Sequence, residues 1–113
     1  MHHCSVAVGD TWLSQVVPLI LQSSAFTRNG LLFITFDEGE TSAGCCNDAV
    51  GGQVTTLVIS SPAKRGFQST IPETHYSLLR TIEEAWGLPF LGEASKSTAM
   101  TEYFMPWERS AYS

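Results

Sequence analysis

Charged side chains are scarce in this sequence: they make up 15% of its 113 residues, against roughly 25% in soluble domains. The polar surface that the chain can offer to water is correspondingly small, and the chain is expected to need a partner surface. Positive charge is scarcer still, with six lysines and arginines against eleven acids and a formal net charge of −5. Apart from Lys64-Arg65 these basic residues stand singly. No basic stripe exists to neutralise a phosphate backbone, so nucleic acid is not an expected partner.

Long hydrophobic runs are also missing. The longest, Val16 to Leu21, is far short of the roughly 20 residues that span a bilayer, so no transmembrane segment is expected. Residues Met1 to Asp10 lack both a basic start and an apolar run of about 7–15 residues, so no secretory signal is expected in this chain. No CxxC spacing occurs, which removes the usual signature of a structural zinc site. The three cysteines, Cys4 and the adjacent Cys45-Cys46, leave one thiol over in any internal pairing. Neighbouring cysteines rarely bridge, because the peptide between them has to distort. A bridge from Cys4 to Cys45 or Cys46 in an oxidising compartment is one reading, and three small, partly buried thiols the other. No GxSxG elbow surrounds Ser60, Ser61 or Ser77, and no nucleophile is assigned. Repeats, low-complexity tracts and linkers are absent, so residues 1–113 are read as one unit.

Hydrophobic residues, in contrast, reach 43% and aromatics 11%, enough for a buried core. Asp10 is placed to cap a helix whose residues Trp12, Val16, Leu19 and Ile20 recur at helical spacing. Pro18 inside that pattern is expected to kink or divide the helix, which should end by Ser23 or Ser24. After the turn signal Asn29-Gly30, the run Leu31 to Phe36 reads as a strand covered on both faces. A second β-branched strand is expected from Gln53 to Ser60, stopped by Pro62. The connection from Glu38 to Gly52 is about as long as structureless loops get, and such loops are commonly functional. Thr74 caps a last helix with an apolar face at Tyr76, Leu78, Leu79, Ile82, Ala85 and Trp86, and Gly87 stops it. Residues 92–113 read as an irregular tail packed in places by Tyr103, Phe104, Met105 and Trp107. The class is α/β.

Asp37-Glu38, at the carboxyl end of an apolar strand, is the most informative local feature. Side chains there project into the crevice where α/β proteins bind ligands. Two carboxylates suit a hard divalent cation that neutralises a substrate phosphate; the plain alternative is a solvated turn. Glu40 and Asp48 read as solvated loop acids. A histidine at position 2 or 3 can donate a proton to a leaving alkoxide, or be a terminal tag remnant. His75, in the first turn of the last helix, can simply bond locally.

Four segments in order, HHCSVAVGDTWLSQVVPLILQSSAF, LLFITFDEGE, GGQVTTLVISSPAKRGF and THYSLLRTIEEAWGLPFLG, resemble the phosphoesterase family that includes acid phosphatases and phospholipase C-type enzymes. That family is a branch of the alkaline phosphatase superfamily. The resemblance covers residues 2 to 92 and implies a partial mixed sheet with flanking helices, the carboxy-terminal part of an alkaline-phosphatase-like fold. It implies that Asp37 and Glu38 ligate a divalent metal (magnesium, calcium or manganese), and that His2 faces the phosphate as hydrogen-bond donor or general acid. His75 matches a histidine of the closing helix with a structural or supporting role, and Gly51-Gly52 match the start of the strand beside the site. In the family the nucleophile and the early metal ligands lie upstream of the matching segments. The expectation is therefore a metal-dependent hydrolase of phosphoric ester bonds that lacks its amino-terminal half and is inactive alone. Relatives of this kind are often secreted or periplasmic. The competing expectation is a non-catalytic α/β binding module, and a sulfate- or phosphonate-directed relative is a lesser third.

Overall fold

A computed structural model describes residues 2–104. Its elements are the helices Val6–Leu21 (α1), Ser24–Thr27 (α2) and His75–Trp86 (α3), and the strands Leu31–Thr35 (β1) and Thr56–Ser60 (β2). Two short 3₁₀ turns, Gly92–Lys96 and Thr101–Tyr103, complete them. The chain is α/β, as expected. Among the described residues the sheet is a two-stranded antiparallel pair, not a mixed one. The reason lies in the connection: the loop between the strands turns back on itself, whereas a mixed sheet needs a crossover. The residues group into two compact units. The first runs through Leu32 and takes in Ile59–Ser61; the second takes in Phe33–Val58 and the chain from Pro62 onward.

In the first unit α1 starts earlier than its sequence pattern suggested. Ser5, not Asp10, is the cap, with its Oγ accepting from the Val8 amide at 3.4 Å, and Asp10 lies inside the helix. An oxygen-bearing cap outcompetes the weak helix propensity of Gly9, which costs only about 1 kcal/mol. Pro18 does not divide the helix, which continues to Leu21. Ser23 then caps α2 through its Oγ, 3.2 Å from the Phe26 amide. At Gly30 a β-carbon would fall 2.2 Å from the Phe26 Cα, so only glycine allows the chain to turn there. The apolar face assigned to α1 is not a core face: Trp12 is 60% and Leu19 69% exposed. The Ser60 hydroxyl closes the start of the ladder on the Gly30 carbonyl at 3.0 Å.

β1 is half-buried rather than covered on both faces, and β2 begins at Thr56 instead of Gln53. The late start of β2 follows from where β1 ends. β1 stops at Thr35, whose hydroxyl meets that of Thr56 at 2.7 Å, and the chain bends at Asp37, so residues before Thr56 have no strand opposite them.

In the second unit α3 has the predicted ends: Thr74 caps it in a reciprocal capping box with Ser77, and Gly87 closes it at φ +64°. Its packing departs from the expected pattern: Tyr76, Leu78, Leu79 and Ala85 of the apolar face are only half-buried. Ser77, Thr81 and Glu83 are buried, while Ile82 and Trp86 are exposed. The segment read as an irregular tail lies on this polar ridge and carries the buried apolar side chains Ala94, Ala99, Met100 and Phe104. Met105 and Trp107, expected to help pack that tail, lie outside the described residues. A segment with little regular structure needs partners for its backbone, and the ridge supplies them. The Met100 amide donates to Thr81 Oγ1 at 2.8 Å, the Leu91 amide donates to Glu83 Oε1 at 3.0 Å, and Arg80 donates to the Ala94 and Ser95 carbonyls. The Arg80 guanidinium also lies 4.1 Å over the Phe90 ring and pairs with Glu84 at 3.0 Å.

A further anchor joins Lys64, whose amide donates to the Tyr103 carbonyl at 2.8 Å, to the turn at Thr101–Tyr103. Beside it the Tyr103 hydroxyl donates to Glu73 at 3.3 Å and Ser69 donates to Glu102 at 2.8 Å. Burial, followed by the hydrogen bond and charge of neighbouring Glu102, pushes the Glu73 carboxyl up to about 8. Burial and then the Glu73 charge raise Tyr103 as well.

Candidate active site

The second unit gathers most of the residues singled out by sequence. Past the end of β1 the chain bends at Asp37, which breaks the strict alternation of a strand, and both Asp37 and Glu38 are exposed. The His75 ring reaches the backbone of the same turn: its Nε2 lies 2.8 Å from the Asp37 carbonyl oxygen. A carbonyl only accepts, so Nε2 carries the proton. His75 thus ties the first residue of α3 to the turn after β1 through the Asp37 backbone.

The loop from Glu38 to Gly52 is ordered by its own hydrogen bonds. Gly39 donates to the Gly51 carbonyl at 2.7 Å and Gly52 donates to the Ala43 carbonyl at 2.9 Å. At its tip Ala49 donates to Cys46 at 3.0 Å, with Asn47 and Asp48 at φ +52° and +62°. Two successive positive φ values are the pattern of a type I′ turn, which suits antiparallel strands. The Asn47-Asp48 pair is the sequence signal for that turn, and Asp48 is exposed in it, in keeping with its reading as a solvated loop acid. The Asn47 side-chain amide also donates to Ser97 Oγ at 3.3 Å.

Gly51 and Gly52 have positive φ, +108° and +83°. A β-carbon on Gly51 would stand 3.7 Å from the Glu38 Cβ, in ordinary contact; one on Gly52 would press on the Thr41 backbone at 3.0 Å. Gly39 is tighter, because a β-carbon there would fall 2.6 Å from the Gln53 carbonyl oxygen. Glu38, Gly39, Gly51 and the Asp37 backbone therefore meet at one end of the ladder. His2 belongs to the first unit, exposed, with its ring 6.4 Å from that of His3. Among the described residues no group of three or more His, Cys, Asp or Glu side chains is arranged to hold a metal ion. The oxygen donors of Asp37 and Glu38 fit a hard cation chemically, but such an ion takes about six or more oxygens, so two carboxylates supply part of a shell.

All three cysteines are unbridged, Cys4 and Cys45 exposed and Cys46 half-buried. The expected alternative of a Cys4 bridge is thus not what the structure contains. No described helix is long and apolar enough to cross a membrane.

The chain is similar in sequence to known phosphatases. Over 103 residues the chain is 32% identical to a phosphatidylinositol-3-phosphatase of Mycobacterium tuberculosis, covering 90% of this chain and 31% of that protein. It is 27% identical to a phosphate-repressible acid phosphatase of Penicillium chrysogenum over 80% of this chain and 21% of the relative. An acid phosphatase of Aspergillus niger is 26% identical, with the same shares of 80% and 21%. The chain thus spans about a fifth to a third of the length of the relatives it matches. No solved structure matches it significantly. The model of the Phosphoesterase family matches residues 1–89, a span that holds His2, Asp37, Glu38, Gly51, Gly52 and His75, and the chain belongs to that family.

Proposed function

We propose that this chain is the carboxy-terminal part of a metal-dependent hydrolase of phosphoric esters with an alkaline-phosphatase-like fold. The observation that carries the reading is the family match over residues 1–89, which contains every candidate site residue. Asp37 and Glu38 would hold a divalent cation, magnesium, calcium or manganese. Bound there, the ion supplies charge neutralisation at the phosphate. His2 donates a hydrogen bond or a proton to the leaving oxygen. His75 holds the Asp37 backbone in place from α3, and Gly51 keeps the space beside Glu38 open. The nucleophile and the remaining metal ligands come from the rest of the parent protein, which also covers apolar residues such as Trp12 and Trp86. Without that part the chain does not turn over substrate, since nucleophile, metal and orientation act as a unit. The chemistry shared by the names acid phosphatase and phosphatidylinositol-3-phosphatase is a phosphate monoester, and that is the substrate class proposed.

The test is to join the chain to the amino-terminal part of a family member and assay an aryl phosphate with each of the three metals. Hydrolysis that needs a divalent ion and drops by roughly 100-fold or more in Asp37→Ala is the expected result, as even residues that merely support metal ligands cost about 10–100-fold. Undiminished activity in that variant would falsify the ligand assignment. A non-catalytic module would instead show no activity in any assembly and no rise in melting temperature with divalent ions.

A further inference from the structure

The tip of the Glu38–Gly52 loop carries two thiols that the hydrolase reading does not use. Cys45 Sγ and Cys46 Sγ lie 2.7 Å apart. Successive residues of an extended chain send their side chains to opposite faces, so adjacency alone does not bring two sulfurs together. Here the backbone does. Cys46 opens the type I′ turn, its carbonyl accepting from Ala49, and the Cys45 amide donates to the Ala49 carbonyl at 3.2 Å. Those two bonds hold both residues, and the sulfurs come to roughly 0.7 Å beyond the covalent S–S length of about 2.05 Å. Cys45 is exposed and Cys46 half-buried. The Cys45 hydrogen bond, and then burial, hold the Cys46 thiol protonated above the usual thiol range. Cys45 is therefore the sulfur that meets a reagent first.

We propose that Cys45 and Cys46 form a reversible vicinal disulfide site, closed by exchange with a low-molecular-weight disulfide such as oxidised glutathione. The Cys45 thiolate attacks one glutathione sulfur, forms a mixed disulfide and expels a glutathione thiolate. Cys46, as thiolate, then attacks Cys45 Sγ and expels the second. The protein loses two hydrogens, both protons going to the departing thiolates, and two electrons reduce the glutathione disulfide. Because the intervening peptide must distort to close the ring, the bond is readily reduced again. The proposal does not depend on the hydrolase reading.

The experiment treats the full chain with oxidised glutathione, alkylates it with iodoacetamide and maps its peptides by mass spectrometry. The expected result is a peptide holding residues 45 and 46 that is unalkylated, two hydrogens lighter and restored by dithiothreitol. Cys4→Ser should leave this unchanged. Cys46→Ser should accumulate a glutathione adduct on Cys45, because the second sulfur is gone. A link from Cys4 to either residue overturns the proposal. So does a wild-type chain that keeps the adduct or both thiols, and so does a Cys46→Ser chain that forms no adduct.

Discussion

The Nε2 atom of His75 lies 2.8 Å from the backbone oxygen of Asp37, so the first residue of α3 and the carboxyl end of β1 are joined by one hydrogen bond. Its loss frees the turn that carries both candidate ligands. His75→Ala should destabilise the second unit by about 0.5–1.5 kcal/mol, the net worth of such a bond. Hydrogen exchange should speed up at the Gly39 amide, which donates to Gly51 in the same turn. Unchanged protection at Gly39 would show that the histidine does not hold the turn.

Gly39 and Gly52 set the width of the loop. With the Gln53 oxygen 2.6 Å from the β-carbon position at Gly39, alanine there must push backbone aside. Gly39→Ala should cost about 1–3 kcal/mol, the range for forcing extra atoms into packed structure. At Gly52 the penalty comes from φ +83° together with the Thr41 contact. Gly52→Ala should cost about 1–2 kcal/mol, as a side chain in the left-handed region does. Gly66 has positive φ but nothing within 4 Å of a β-carbon position. Gly66→Ala therefore isolates the conformational cost, and urea midpoints of the three variants should rank Gly39→Ala as the most damaging.

Thr81 holds the polar ridge of α3 to the chain below it. Its hydroxyl donates to the Ser77 carbonyl at 2.7 Å and accepts from the Met100 amide at 2.8 Å, and the residue is 1% exposed. Thr81→Val keeps the volume but strands that buried amide. The cost should be about 1–3 kcal/mol by chemical denaturation, and Thr81→Ser should recover most of the hydrogen-bonding part. Equal stability of the valine and serine variants would rule the hydroxyl out as the anchor.

Glu73 predicts a pH dependence. Its carboxyl rises from 4.5 to about 8 on folding, so the folded chain binds this proton more tightly than the unfolded chain. The stability tied to the group is therefore complete below the unfolded value of 4.5, declines as pH rises, and is gone above about 8. Glu102 and Tyr103 face the same carboxyl and set the size of the effect. Glu73→Gln should flatten this decline, leaving urea midpoints at about pH 5 and about pH 8 closer together than in the parent chain. A parent chain equally stable at both ends of the window would contradict the shift.

Much of the local structure was legible because it depends on neighbours along the chain. Thr74 and Gly87 bound α3 through bonds to residues within a few positions, and Asn29-Gly30 and the apolar run after it mark β1. The acids at the strand end were legible for the same reason. The start of α1 was not, because Ser5 and Asp10 are both competent caps and only the folded backbone chooses between them.

Which face of a helix is buried depends on what lies against it, and periodicity does not contain that information. α3 has a regular apolar stripe, yet its buried side chains are Ser77, Thr81 and Glu83, because the segment after Leu91 brings backbone groups that need hydrogen bonds. The Glu73–Glu102–Tyr103 cluster and the His75–Asp37 bond join residues about thirty or more positions apart, and no local pattern announces them. The ends of α3 and the turn before β1 were thus settled by the sequence alone, through short-range bonding and sterics. The choice of buried face and the gathering of distant polar groups were decided by tertiary structure, because buried backbone and side-chain polar groups take the hydrogen-bond partners that the fold brings to them.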